Sequence, residues 1–212
     1  MVKLFVEGGG GHEAACRQAF ATFLSRAGLS KKPRIMVCGS RHNAYDDYCI
    51  ALENREDAVL LVDSEGPVAP DIQAGKPDTW QPWRHLKQRQ EDGWDKPEGA
   101  RDEDCHLMVQ CMEYWLVADR ETLKSFFGKE FKENALPATG APLESWLKQR
   151  VYDGLARATK TCETKGRYDK GAHSFKLLTA IDPAKVVAAS PWAARFVAHL
   201  KTKMDHPKRD PR

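Results

Sequence analysis

The sequence predicts an α/β fold in which a mainly parallel sheet lies between helices, followed by a C-terminal helical extension. Three observations carry this expectation. In the first third of the chain, short and nearly unbroken apolar runs alternate with stretches of helical period. Such runs lack the in/out alternation of half-solvated strands, and so suit a parallel sheet covered on both faces. After about residue 112 helical periods dominate.

Taken in order, Lys3-Leu4-Phe5-Val6-Glu7 is a short β run that stops at Gly8-Gly9-Gly10-Gly11. From His12 to Ala27, Ala15, Ala19, Phe20, Phe23, Leu24 and Ala27 recur on one helix face, and Gly28 suits the C-terminal cap. Arg34–Cys38 is a second strand ending at Gly39, and Asn43 is placed to cap a helix reaching about Asn54. Ala58–Val62 is a third, wholly apolar strand that runs into Asp63-Ser64-Glu65-Gly66-Pro67. Residues 66–104 hold five of the twelve prolines and three of the six tryptophans without a sustained period. Because Trp80, Trp83 and Trp94 need a surface to pack on, this segment reads as an ordered insertion rather than a linker. The sheet resumes at Cys105–Gln110, and helices are expected at about Met112–Phe127, Leu143–Thr159, Ser174–Ala180 and Pro191–Lys203. The resulting organisation is a core over 1–127 with the insertion at 66–104, a helical extension over 128–204 packed on the core, and a flexible basic tail at 205–212.

Composition bounds the function. With 42% hydrophobic residues in 212, the chain carries enough apolar side chains for a core, which excludes disorder as its main state. No run approaches the roughly 18 apolar residues of a membrane span, and the start does not read as a secretory signal. Six cysteines without a CxxC pair or framework spacing read as reduced thiols, so a cytoplasmic setting without membrane association is expected. A net charge of +3 is too small to identify a nucleic-acid binder, so the positions of the charges matter more.

Those positions single out the strand ends. Ligands of open parallel sheets bind beyond the carboxyl ends of the strands. Glu7 closes the first strand, while Asp63 and Glu65 close the third and share one side by strand alternation, with Ser64 pointing away. If the first and third strands are neighbours, three carboxylates converge on a site suited to Mg²⁺ or Mn²⁺. Solvated or helix-capping acids give the same pattern, so the spacing alone leaves both readings open. Gly8 and Gly9 would let backbone N–H groups approach a phosphate, with His12 beside them. The glycine run is neither GxGxxG nor a Walker A loop, which disfavours a dinucleotide or P-loop site. Glu113, directly after the fourth strand, either reaches the same crevice or stabilises a helix N-terminus. Lys165, Arg167, Tyr168 and Lys170, spaced by glycines, suit phosphate contacts and a stacked base, or a solvated loop. Trp115, Asp119, His106 and His173 read as structural.

Leu4-Phe5-Val6-Glu7-Gly8 opening a strand–turn–helix, with Asp63-Ser64-Glu65-Gly66 after the third strand, resembles the TOPRIM superfamily. That superfamily includes the catalytic domains of bacterial primases and topoisomerases and the overcoming-lysogenization-defect nucleases. The likeness covers residues 1 to about 120, with Glu65 standing where the superfamily has a second Asp. The whole chain also resembles small single-domain bacterial TOPRIM-like proteins, in which a Glu-x-Trp-x-x-x-Asp segment and a late Tyr-x-Lys recur. Here these are Glu113, Trp115, Asp119, Tyr168 and Lys170.

The resemblance implies a Rossmann-like core and metal-assisted hydrolysis of DNA or RNA. The implied catalytic residues are Glu7, Asp63, Glu65, Glu113 and Lys170, with Mg²⁺ (or Mn²⁺) on Glu7, Asp63 and Glu65. Together with the residue reading above, the expected nucleic-acid contacts are Gly8, Gly9, Lys165, Arg167, Tyr168 and Lys170. The resemblance further implies an anti-phage effector held by an ABC-type ATPase partner. The alternative is an inactive subunit of the same fold that binds nucleic acid or nucleotide and regulates that partner.

Overall fold

A computed structural model describes residues 1–138 and 142–206. Of the expected basic tail only Asp205 and His206 fall inside that range; the rest lies outside the described residues. Four strands form one sheet: β1 (Lys3–Val6), β2 (Arg34–Val37), β3 (Ala58–Asp63) and β4 (Cys105–Met108). Their order is β2-β1-β3-β4 and every pairing is parallel, so β1 and β3 are direct neighbours as the carboxylate reading required. All six β3 residues are buried, which explains why that strand reads as a continuous apolar run.

Helices cover both faces. Leu4, Val6, Val59 and Leu61 face one apolar cluster, shared with α1 (Glu13–Arg26) and with the C-terminal helices. Phe5, Leu60 and Val62 face the other, shared with α2 (Arg41–Glu53) and the insertion. The insertion is ordered, as its tryptophans required. Trp80, Trp83 and Trp94 are buried, and Pro82–Gln88 forms α3. The extension belongs to the first cluster through Phe131, Leu155, Leu177 and Phe196. No described helix is long and apolar enough to cross a membrane.

Several boundaries differ from expectation, some because of a local cap and some because of a tertiary hydrogen bond. Helix α2 begins three residues early, because Ser40 rather than Asn43 is its cap and accepts from the Asn43 N–H at 3.1 Å. The single helix expected over 112–127 is two, α4 (Glu113–Ala118) and α5 (Arg120–Phe127). Asp119 leaves helical geometry between them and caps α5. It is held there by the Asp182 N–H at 2.9 Å and the Lys185 ammonium at 2.7 Å.

The helix expected over 143–159 is a 3-10 turn at Leu143–Ser145 followed by α6 (Lys148–Ala158). Trp146 is extended between them, and its carbonyl accepts from the Tyr114 hydroxyl at 2.5 Å and the Gln110 amide at 2.7 Å. Helix α7 (Lys170–Ala180) starts earlier than expected, capped by Asp169. Helix α8 (Pro183–Ala189) was not foreseen, although Asp182-Pro183 is a start signal. Helix α9 spans Pro191–Asp205. The fourth strand ends at Met108 rather than Gln110, yet its carbonyls continue to hold the acidic loop. Ser64 N–H donates to Met108 O at 3.0 Å, and Glu65 N–H to Gln110 O at 2.8 Å.

A candidate metal centre at the carboxyl ends of the strands

The parallel register sets the site. Glu7 leaves the end of β1 beside the end of β3, and its carboxylate accepts the Asp63 N–H at 2.9 Å. Asp63 turns inward, is 3% exposed, and accepts the Met112 N–H at 2.9 Å. Glu65 adopts φ 61°, the left-handed region that a non-glycine residue occupies only when neighbours hold it. The two backbone bonds from Ser64 and Glu65 to the end of β4 supply that hold. Each of the three acids offers an oxygen within 4.8 Å of the others. Strand adjacency brings Glu7 to Asp63 as read from the sequence, but β3 ends at Asp63, so the left-handed turn at Glu65 rather than strand alternation brings in the third acid. The cluster opens on a cleft of about 280 Å³ whose walls include Gly8, Ser40, Arg41, Met112 and Lys170.

The glycines after β1 permit close packing of two loops. Gly8 and Gly39 exchange N–H···O bonds at 2.9 and 2.7 Å. A Cβ on Gly9 would lie 2.7 Å from the Gly39 Cα. The Gly8 N–H is therefore committed to Gly39, while Gly8 itself forms part of the cleft wall.

Electrostatics make the cluster unusual. Burial pushes the Asp63 carboxyl well above the ordinary aspartate range, the nearby charge of Glu7 pushes it further, and Lys170 opposes both. Two cations that sequence reasoning missed face the acids. Arg41 donates to the Asp63 carbonyl at 2.6 Å, and the same nitrogen stands 3.9 Å from an oxygen of Glu7 and of Glu65. Its other edge grips Asp92 bidentately at 3.0 and 2.6 Å, and its guanidinium lies 5.0 Å from the centre of the Trp94 ring. Lys148, the first residue of α6, pairs with Glu65. Arg41 had a signal, since it follows Gly39-Ser40 at the carboxyl end of a predicted strand. Lys148 stands 83 positions from its partner and had none.

The remaining predicted residues separate into two groups. Glu113 is fully buried at the start of α4, and its two oxygens accept the Tyr152 hydroxyl at 3.1 Å and the Tyr168 hydroxyl at 3.0 Å. Burial and the Glu113 charge hold both phenols protonated, far above the ordinary tyrosine value. Lys170 reaches to 4.0 Å from Glu113 and lines the cleft. Burial favours its neutral form, but Glu113 and then Asp63 outweigh it and raise its pKa, so Lys170 stays cationic. Tyr168 thus presents its hydroxyl inward, while Lys165 and Arg167 are exposed on the surface nearby. His12 sits against Gly171 at the start of α7.

The residues read as structural are so placed. Trp115 is fully buried, Asp119 ties α5 to α8, and His106 is buried beside Arg195. His173 bonds the Asp169 N–H at 2.9 Å. Ser64 is buried with its hydroxyl on the Gly66 carbonyl at 2.6 Å, outside the acid cluster. All six cysteines are free.

No curated protein and no solved structure matches the chain. One family does, described as a domain of unknown function (DUF4276), and the match runs over residues 6–201. With nearly the whole fold and every acid of the cluster inside that range, the chain belongs to the DUF4276 family.

Proposed function

We propose that the chain is a metal-dependent nuclease that hydrolyses phosphodiester bonds in DNA or RNA. The observation that carries this reading is the convergence of Glu7, Asp63 and Glu65 within 4.8 Å at the carboxyl end of a parallel sheet. The donor set fits Mg²⁺ or Mn²⁺: three carboxylates, no thiolate or imidazole, and an open side left for water and substrate. A bound divalent ion supplies charge neutralisation at a phosphodiester and a lowered pKa for a water molecule. Glu7, Asp63 and Glu65 hold that ion. Lys170, cationic and on the cleft wall, binds a non-bridging phosphate oxygen and stabilises charge developing there. Lys165 and Arg167 are exposed at the turn before α7 and extend the contact along the nucleic-acid backbone. The resemblance to TOPRIM nucleases supports the same reaction, and adds a cytoplasmic anti-phage role with an ABC-type ATPase as partner.

Cleavage of supercoiled plasmid and of tRNA in Mg²⁺ or Mn²⁺, with and without a partner ATPase, tests the reading. Glu7→Gln and Asp63→Asn should each lower the rate by about 100-fold or more. Equal cleavage by wild type and both variants would overturn the site. Absence of cleavage by the wild type under all these conditions would replace the enzyme with a binding subunit.

A further inference from the structure

The cations that face the three acids are held in two different ways, and the difference has a consequence for metal loading. Arg41 is fixed on every side: by the two Asp92 oxygens, by the Asp63 carbonyl and by the Trp94 ring. Asp92 is itself nearly buried and also takes the Arg89 guanidinium at 2.7 Å. Among the described residues Lys148 has a single ion-pair partner, Glu65, and its ammonium lies 5.9 Å from the centre of the Tyr152 ring. Its side chain is 26% exposed, and its four-carbon stem can swing the charge to solvent without moving the helix. Tyr152, one turn further along α6, remains anchored on Glu113.

Resting on the reading of Glu7, Asp63 and Glu65 as the metal site, we infer that Lys148 is a displaceable internal counter-ion of that site. In the cation-free protein its ammonium neutralises Glu65. A divalent ion taken up by the three acids competes for the same carboxylate and is repelled by the ammonium, so Lys148 swings away as the metal enters. Arg41, locked to the insertion, stays. Lys148 therefore weakens metal binding and confines occupancy to conditions of ample divalent cation.

The test is calorimetric titration of the full chain with Mn²⁺ alone, comparing wild type, Lys148→Met, Lys148→Arg and Asp63→Asn, with thermal melts to confirm folding. Lys148→Met keeps the apolar stem and removes the charge, and should tighten Mn²⁺ binding by about tenfold. Lys148→Arg keeps the charge and should stay near wild type. Unchanged or weaker binding by Lys148→Met would overturn the counter-ion role, while a loss of binding in Asp63→Asn would leave the metal site standing. Binding by Asp63→Asn as tight as wild type, or no binding by wild type, would overturn the metal site and the counter-ion role with it.

Discussion

Buried carboxylates flank the sheet at both ends, and the two ends treat them oppositely. At the amino end, Asp57 precedes β3 and Asp104 precedes β4, and both grip the Lys203 ammonium, at 2.7 and 2.6 Å. Asp104 also takes Arg101 at 2.8 Å and His199 at 3.1 Å. Burial alone would raise the Asp104 carboxyl, but the bonds from His199, Arg101 and Lys203 hold it far below the ordinary value. At the carboxyl end, Asp63 receives a backbone N–H, lies beside Glu7 and is pushed up. Acids bridged by shared cations tie elements together. Acids crowded together, with the guanidinium of Arg41 3.9 Å away from two of them, form the site we propose for a divalent cation.

The amino end should respond most strongly to mutation. Asp104→Ala leaves Lys203 half-compensated in a buried site and should cost about 3 kcal/mol in chemical denaturation. Mn²⁺ affinity should be unchanged. A loss below about 1 kcal/mol, in the range of exposed pairs, would show that this cluster ties nothing together.

The carboxyl end should respond with the opposite sign. Asp63→Asn removes a carboxylate that burial and Glu7 disfavour, while the amide oxygen still accepts the Met112 N–H. The variant should be more stable than wild type near neutral pH, while losing Mn²⁺ binding. The sign follows from the raised pKa. Below the ordinary aspartate value of about 3.9 both proteins are neutral at this position, so ionisation opens no gap between them. As pH rises from there through the elevated folded value, the wild type ionises at a cost that the variant never meets, and the gap opens. A gap that closes with rising pH would contradict the crowded-acid account.

These two ends also differ in how legible they were. Glu7, Asp63 and Glu65 could be read because unbroken apolar runs announce parallel strands, and parallel strands put their carboxyl ends at one edge. Asp104 and Lys203 meet across 99 positions with no motif to announce them. The same holds at the cleft for Arg41 and Asp92, 51 positions apart, and for Lys148 and Glu65. Helix boundaries failed where a tertiary bond outweighed local period. Asp119 broke one predicted helix because Lys185 and the Asp182 N–H claim its carboxylate, and Trp146 broke another because Tyr114 and Gln110 claim its carbonyl.

The proposed reaction requires that Glu7, Asp63 and Glu65 share one divalent cation. Crystals of wild type and Asp63→Asn grown in Mn²⁺, with anomalous data collected at the manganese edge, address it most directly. The account predicts one anomalous peak in the wild type, about 2.0–2.6 Å from an oxygen of each of the three acids, and no peak there in the variant. A wild-type crystal saturated with Mn²⁺ that shows no peak between these carboxylates would contradict it.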